Sequence, residues 1–116
     1  MAGQPNPPFM AGVPELMVLR LLKNREMYGY EIVAAIREET GAVVTAGEGV
    51  IYPVLHGLEK DGALKAVRRA VNGRSRVYYS LTPKGLTRLE GLSGDWVRLA
   101  EAIAAVLKGA RHVPAV

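Results

Sequence analysis

Between Gly47 and Gly62 the chain reads GEGVIYPVLHGLEKDG, and at about 100° per residue Ile51, Leu55 and Leu58 fall on one side of a helix. Gly49, Pro53, His56 and Lys60 fall on the other, with Tyr52 on the flank, and Gly49 and Gly57 would let a partner come close to the backbone. The spacing predicts one buried stripe and one presented face. Two starts are open: Thr45 with Glu48 makes a capping-box pattern, and Gly47 is an alternative cap. Pro53 lies too deep for a first-turn proline, so a local distortion is expected there.

Upstream, Pro14 at a first helical position, Glu15 behind it and the run Leu16, Leu19, Leu22 predict a helix ending near Asn24. Val18 and Leu21 widen its apolar surface, which calls for two neighbours, a second subunit being one candidate. Glu31 to Thr40, with Ile32, Ala35 and Ile36 on one stripe, reads as a second helix stopped by Gly41. Val43 and Val44 between turn residues read as a brief strand. Beyond the central helix, LKAVRRAV and RSRVYYSL flank Asn72-Gly73, the dipeptide whose positive φ angles suit a type I′ hairpin turn. Val77, Tyr79 and Leu81 alternate to one face, while Arg74 and Arg76, with Arg68 and Arg69 opposite, frame a basic tip.

Thr82-Pro83 starts a last helix in which Leu89, Leu92, Trp96, Leu99, Ile103 and Val106 follow a heptad seam. Gly91 and Gly94 each cost about 1 kcal/mol inside a helix, so a packing partner has to compensate. A second subunit is the economical one, with the seam as a dimer interface; folding back on the same domain is the alternative. The expected layout is a tail over 1–12, a helical and hairpin domain over 13–82, the long helix over 83–108 and a tail over 109–116. The fold class is α+β, mostly α.

Charge adds a direction to this picture. No acidic residue lies between Asp61 and Glu90, where seven basic residues stand (Lys65, Arg68, Arg69, Arg74, Arg76, Lys84 and Arg88), so this window carries +7 within a chain whose net charge is +4. A one-signed segment is the footprint of a surface that meets phosphate. The absence of cysteine excludes disulfides and thiolate chemistry. His56 and His112 are the two histidines, far apart in sequence, and Ser75, Ser80 and Ser93 sit in no nucleophile motif. Neither a metal site, a cofactor site nor a catalytic constellation can be assembled. No apolar run is long enough to span a bilayer and no leader pattern is present, so a cytoplasmic protein is expected.

The order of helices, basic hairpin and long final helix, together with YGYEI (Tyr28 to Ile32), IYPVLHGLEKDG (Ile51 to Gly62) and YYSLTPKG (Tyr78 to Gly85), resembles the PadR family of bacterial transcriptional regulators, in its compact branch with one C-terminal helix. The resemblance implies a winged helix-turn-helix with a long dimerisation helix and no enzymatic activity. It implies a homodimer bound to double-stranded DNA, most simply a repressor on a palindromic operator. On it, the Gly47 to Gly62 helix reads DNA, with Gly49, Val50, Tyr52, Pro53, His56 and Lys60 facing the duplex and Lys65, Arg68, Arg69, Arg74, Ser75 and Arg76 on or beside the wing. Trp96, in the middle of the seam, is either a bulky interface residue or part of a site for a small aromatic effector. The chain departs from the family in having Gly47, Glu48 and Val50 before its Tyr-Pro pair and Gly57 after its His. Glu48, Glu59 and Asp61 against Lys60 make the reading helix acidic, which shifts phosphate contacts onto the wing. The reading from another class is a protein-binding module that sets its basic hairpin on an acidic partner.

Overall fold

The computed structural model describes residues 11–109. Most of both expected tails, including His112, lies outside that range. Four helices and three strands follow in the order α1 (Val13–Asn24), β1 (Met27–Tyr28), α2 (Gly29–Glu39), α3 (Glu48–Lys60), β2 (Leu64–Val71), β3 (Arg74–Leu81) and α4 (Pro83–Lys108). The strands form one antiparallel sheet in the order β1-β3-β2.

The core is a single cluster in which Val18, Leu19 and Leu22 of α1, Ile32 and Ile36 of α2, and Ile51, Leu55 and Leu58 of α3 are buried with Met27, Leu64, Tyr79 and Leu89. The predicted stripe of α3 is therefore its buried stripe. The broad apolar surface of α1 is covered within the protomer, by α3, α4 and β3, so no second subunit is needed to cover it.

One expectation fails for a definable reason. Val43 and Val44 form no strand: Gly41 and Ala42 adopt left-handed φ angles of 61° and 64°, and the Thr40 hydroxyl accepts from the Val44 amide while donating to the Ile36 carbonyl. Val44 then drops into the core and Val43 faces solvent, so side-chain hydrogen bonding and burial override strand propensity. The third strand is instead Met27–Tyr28, paired with Tyr79 and Tyr78. Pro53 lies inside α3, whose N-cap is Gly47. The carbonyl of Gly49, which proline cannot serve, lies on the exposed side of α3.

The hairpin is as expected. Asn72 and Gly73 have φ angles of 51° and 77°, and Val71 pairs with Arg74 across the turn.

The α3–β2 corner is tied to the start of α4. Gly62, at φ 83°, closes α3 with its amide donating to the Glu59 carbonyl, while the Ala63 amide donates to Leu58. Thr82 caps α4 by accepting from the Gly85 amide, and its hydroxyl donates to the Gly62 carbonyl at 2.7 Å. Arg88 reaches Glu15 of α1 at 2.7 Å and Asp61 at the end of α3 at 3.5 Å; the bond to Glu15 raises its pKa above the usual arginine value.

About 39 Å long at 1.5 Å per residue, α4 changes neighbours along its 26 residues. Gly85 and Leu89 are buried in the domain, Leu92 packs at its edge, and from Trp96 onward the large apolar side chains are exposed. Burial thus continues past the expected boundary at residue 82.

Candidate nucleic-acid interface

On α3 the structure presents Gly49, Val50, Pro53, His56, Gly57 and Lys60 to solvent, as the helical period requires. Tyr52 is different. Its ring is half-buried against the core, and its hydroxyl lies so close to Gly29 that a Cβ there would come within 2.5 Å of it. Gly29 opens α2, where the Tyr28 amide donates to the Glu31 carboxylate at 3.1 Å. The Tyr-Gly pair of YGYEI and the Tyr of IYPVL are therefore one joint between two helices, and Tyr52 is a packing residue with His56 beside it, ring centroids 6.1 Å apart.

The wing splits into two faces. Strand residues alternate, and the register Leu64↔Leu81, Ala66↔Tyr79, Arg68↔Val77 and Ala70↔Ser75 puts Arg68 and Ser75 on the face that looks toward α3. Arg68 donates to the Ser75 hydroxyl at 3.0 Å and borders a groove with His56, Glu59, Ala66, Val77 and Tyr79. Burial first, then the negative charge of Glu59 and the Tyr52 hydroxyl, raise the pKa of Tyr79 at the floor of that groove.

Lys65, Arg69, Arg74 and Arg76 alternate onto the opposite face. There the Arg76 guanidinium stands 4.4 Å from the Tyr28 ring centroid and that of Arg69 stands 5.1 Å from Tyr78. The two tyrosines meet edge to face at 5.5 Å, and Arg69 is ion-paired with Glu26. The single basic cluster expected at the tip is thus two: Arg68 with Ser75 beside α3, and a stacked ladder that fastens the wing to β1. Arg69 and Arg88 have their charges matched within the protomer, so the basic window offers less free charge than its composition implies. Glu26 and Tyr28, which do the fastening, were not singled out for this from sequence; a carboxylate and an aromatic ring just before the second helix are the only signals they leave.

The heptad seam also divides. Leu89 is 3% exposed, packed in its own domain, and Leu92 lies against the same core, so these two are not part of an uncovered seam. Trp96, Leu99, Ile103 and Val106 are uncovered, at 46%, 54%, 48% and 79%. Trp96 and Leu99 line a groove of about 230 Å³ with Leu92, Leu16, Val13 and the turn at Gly12. Among the described residues no three His, Cys, Asp or Glu side chains gather as a metal would need, and no helix is long and apolar enough to cross a membrane.

Known proteins resemble this chain in sequence and fold. The sequence profile of the transcriptional regulator PadR-like family matches residues 18–91. An uncharacterised protein of Lysinibacillus sphaericus is 32% identical over 94 residues, 80% of this chain and 86% of that protein. The transcriptional regulator Rv3488 of Mycobacterium tuberculosis is 42% identical over 64 residues, 55% of this chain and 57% of that protein. Among solved structures, a transcriptional regulator from Clostridium thermocellum superposes with a TM-score of 0.76 at 28% identity, covering 82% of this chain and 93% of that one. A PadR-like transcriptional regulator from Bacillus cereus gives 0.75 at 29%, covering 87% and 97%.

Proposed function

Because the chain belongs to the PadR-like family of transcriptional regulators, whose members bind DNA and are not enzymes, we propose that it is a cytoplasmic homodimeric repressor that occupies a palindromic operator. The observation that carries this reading is the division of α4: one end is locked into the winged domain while the other leaves Trp96, Leu99, Ile103 and Val106 uncovered. Pairing α4 with its two-fold mate would cover them and fix two α3 helices relative to each other. Each α3 would enter a major groove, with half-sites about 34 Å apart along the duplex. Arg68 and Arg74 would meet the flanking phosphates.

The test is salt-dependent binding to duplex DNA. Arg68→Ala and Arg74→Ala should weaken operator and random DNA alike, and reduce the slope of log K against log salt by about 0.9 for each phosphate that is no longer neutralised, counted over both subunits. Arg69→Ala, which removes a charge that Glu26 already matches, should leave the slope unchanged. Wing variants that all keep the parental slope would turn the reading toward a hairpin that binds an acidic protein.

The groove beside Trp96 is the place for an aromatic effector that releases the operator. A planar aromatic ligand should quench Trp96 fluorescence and lower operator affinity, with both effects following one titration curve. Quenching without any change in DNA affinity would remove the sensor.

A further inference from the structure

In its N-terminal half the presented face of α3 offers a base few hydrogen-bonding side chains, with Glu48 beside Gly49, Val50 and Pro53, while His56 and Lys60 stand further along. The helix contains no Arg, Asn, Gln, Ser or Thr, and its one Lys, which could also pair with guanine, is Lys60 in the last turn. A Cβ built at Gly49 or Gly57 would meet nothing within 4 Å, so the backbone itself forms the surface there. Between these glycines stand Val50, 47% exposed although apolar, and Pro53, also exposed. Both lie in the N-terminal half of α3, the part of a recognition helix that meets base edges. Glu48, in the first turn of α3, disfavours a phosphate at that end, while the free bases Lys60 and Arg68 stand at its far end and across the groove. This charge layout fits a duplex whose backbone runs along the Arg68 side and whose base edges face Val50 and Pro53.

A surface that is apolar, close to the backbone and poor in donors is complementary to one group on the major-groove edge, the C5 methyl of thymine. We infer that α3 reads its operator through thymine methyls seated on Val50 and Pro53. Discrimination then rests on burying a methyl and not on bidentate hydrogen bonds. This rests on the proposal that α3 enters the major groove, and names the feature of the DNA that it recognises there.

Deoxyuridine differs from thymidine only by that methyl and gives a direct test. Duplexes selected on the full-length protein from a random pool would supply the operator, and each thymine in it would be replaced singly by deoxyuridine. One or two positions in each half-site should lose about fourfold in affinity, the effect of leaving one methyl unburied. Val50→Ala, which acts in both half-sites, should lower affinity for the parental operator by about the square of that factor, about 16-fold, and abolish the penalty at one of those positions; Pro53→Ala, which a helix accepts readily, should do the same at a neighbouring one. Neither variant should alter binding to random DNA or the salt slope. An enriched operator indifferent to every deoxyuridine, or a penalty that survives both variants, overturns the thymine reading and leaves DNA binding standing. A pool from which no sequence is enriched overturns both.

Discussion

Replacing Leu99 and Ile103 together with aspartate should leave a folded winged domain and abolish both the dimer and operator binding. Within one protomer these side chains are half exposed, so a carboxylate at either place stays hydrated and costs the monomer little. Across a paired seam the same two changes bury four charges, each costing on the order of 3 to 5 kcal/mol when unmatched. Their sum exceeds what an interface of a few apolar layers can supply. A monomer also loses the second half-site, so operator affinity should fall by a factor on the order of 10² to 10⁴. Sedimentation should report the mass of one chain with an unchanged circular dichroism spectrum. Leu89→Asp makes the contrast: the same substitution ten residues earlier enters the domain's own core and should unfold the protein. An unchanged sedimenting mass for the double variant would refute dimerisation through α4.

Gly85→Ala should be among the most damaging single changes in the chain. A Cβ at Gly85 would lie 2.1 Å from the Ala63 carbonyl oxygen and 2.7 Å from a Leu81 methyl. The first of these is backbone held by its bond from the Thr82 amide, so it cannot swing aside as a flexible side chain would. Relief requires parting α4 from the α3–β2 corner, which breaks the bonds that the Thr82 hydroxyl and amide donate to the Gly62 and Ala63 carbonyls. A loss of about 3 kcal/mol is expected, read as a lower denaturant midpoint at fixed protein concentration. Gly91→Ala, six residues further along the same helix, has open space around it and should raise stability by up to about 1 kcal/mol. Equal effects from the two alanines would contradict the close approach at Gly85.

The contrast between these glycines bears on what could be read from the sequence. The three-residue and four-residue spacings located α1, α2, α3 and α4, and Asn72-Gly73 fixed the hairpin and its register, because local periodicity and turn chemistry act over a few residues. The motif glycines were visible too, but not their reasons: Gly29 makes room for a tyrosine 23 positions away and Gly85 for a carbonyl 22 positions back. Two-residue β1 carries no period at all, and its partners lie some fifty residues downstream. Heptad spacing does not distinguish a side chain buried in its own domain from one left uncovered, so Leu89 and Ile103 looked alike. Strict alternation in a strand sets Arg68 and Arg69 on opposite faces, a split that the expected single basic tip overlooked, and only tertiary structure brings Glu26 and Tyr28 beneath one of them.

That ladder has a thermodynamic consequence. A two-stranded ribbon projecting from a domain is ordinarily loose, and its long basic side chains would lose rotamer freedom when they settle on a duplex, at about 0.5 to 1.5 kcal/mol for each one immobilised. With Arg76 over Tyr28, Arg69 over Tyr78 and Glu26 holding Arg69, the loss of ribbon freedom is already incurred when the chain folds. The wing of the free protein is preorganised, and the entropy left to lose on meeting DNA is concentrated in the few side chains that stand clear of the stack.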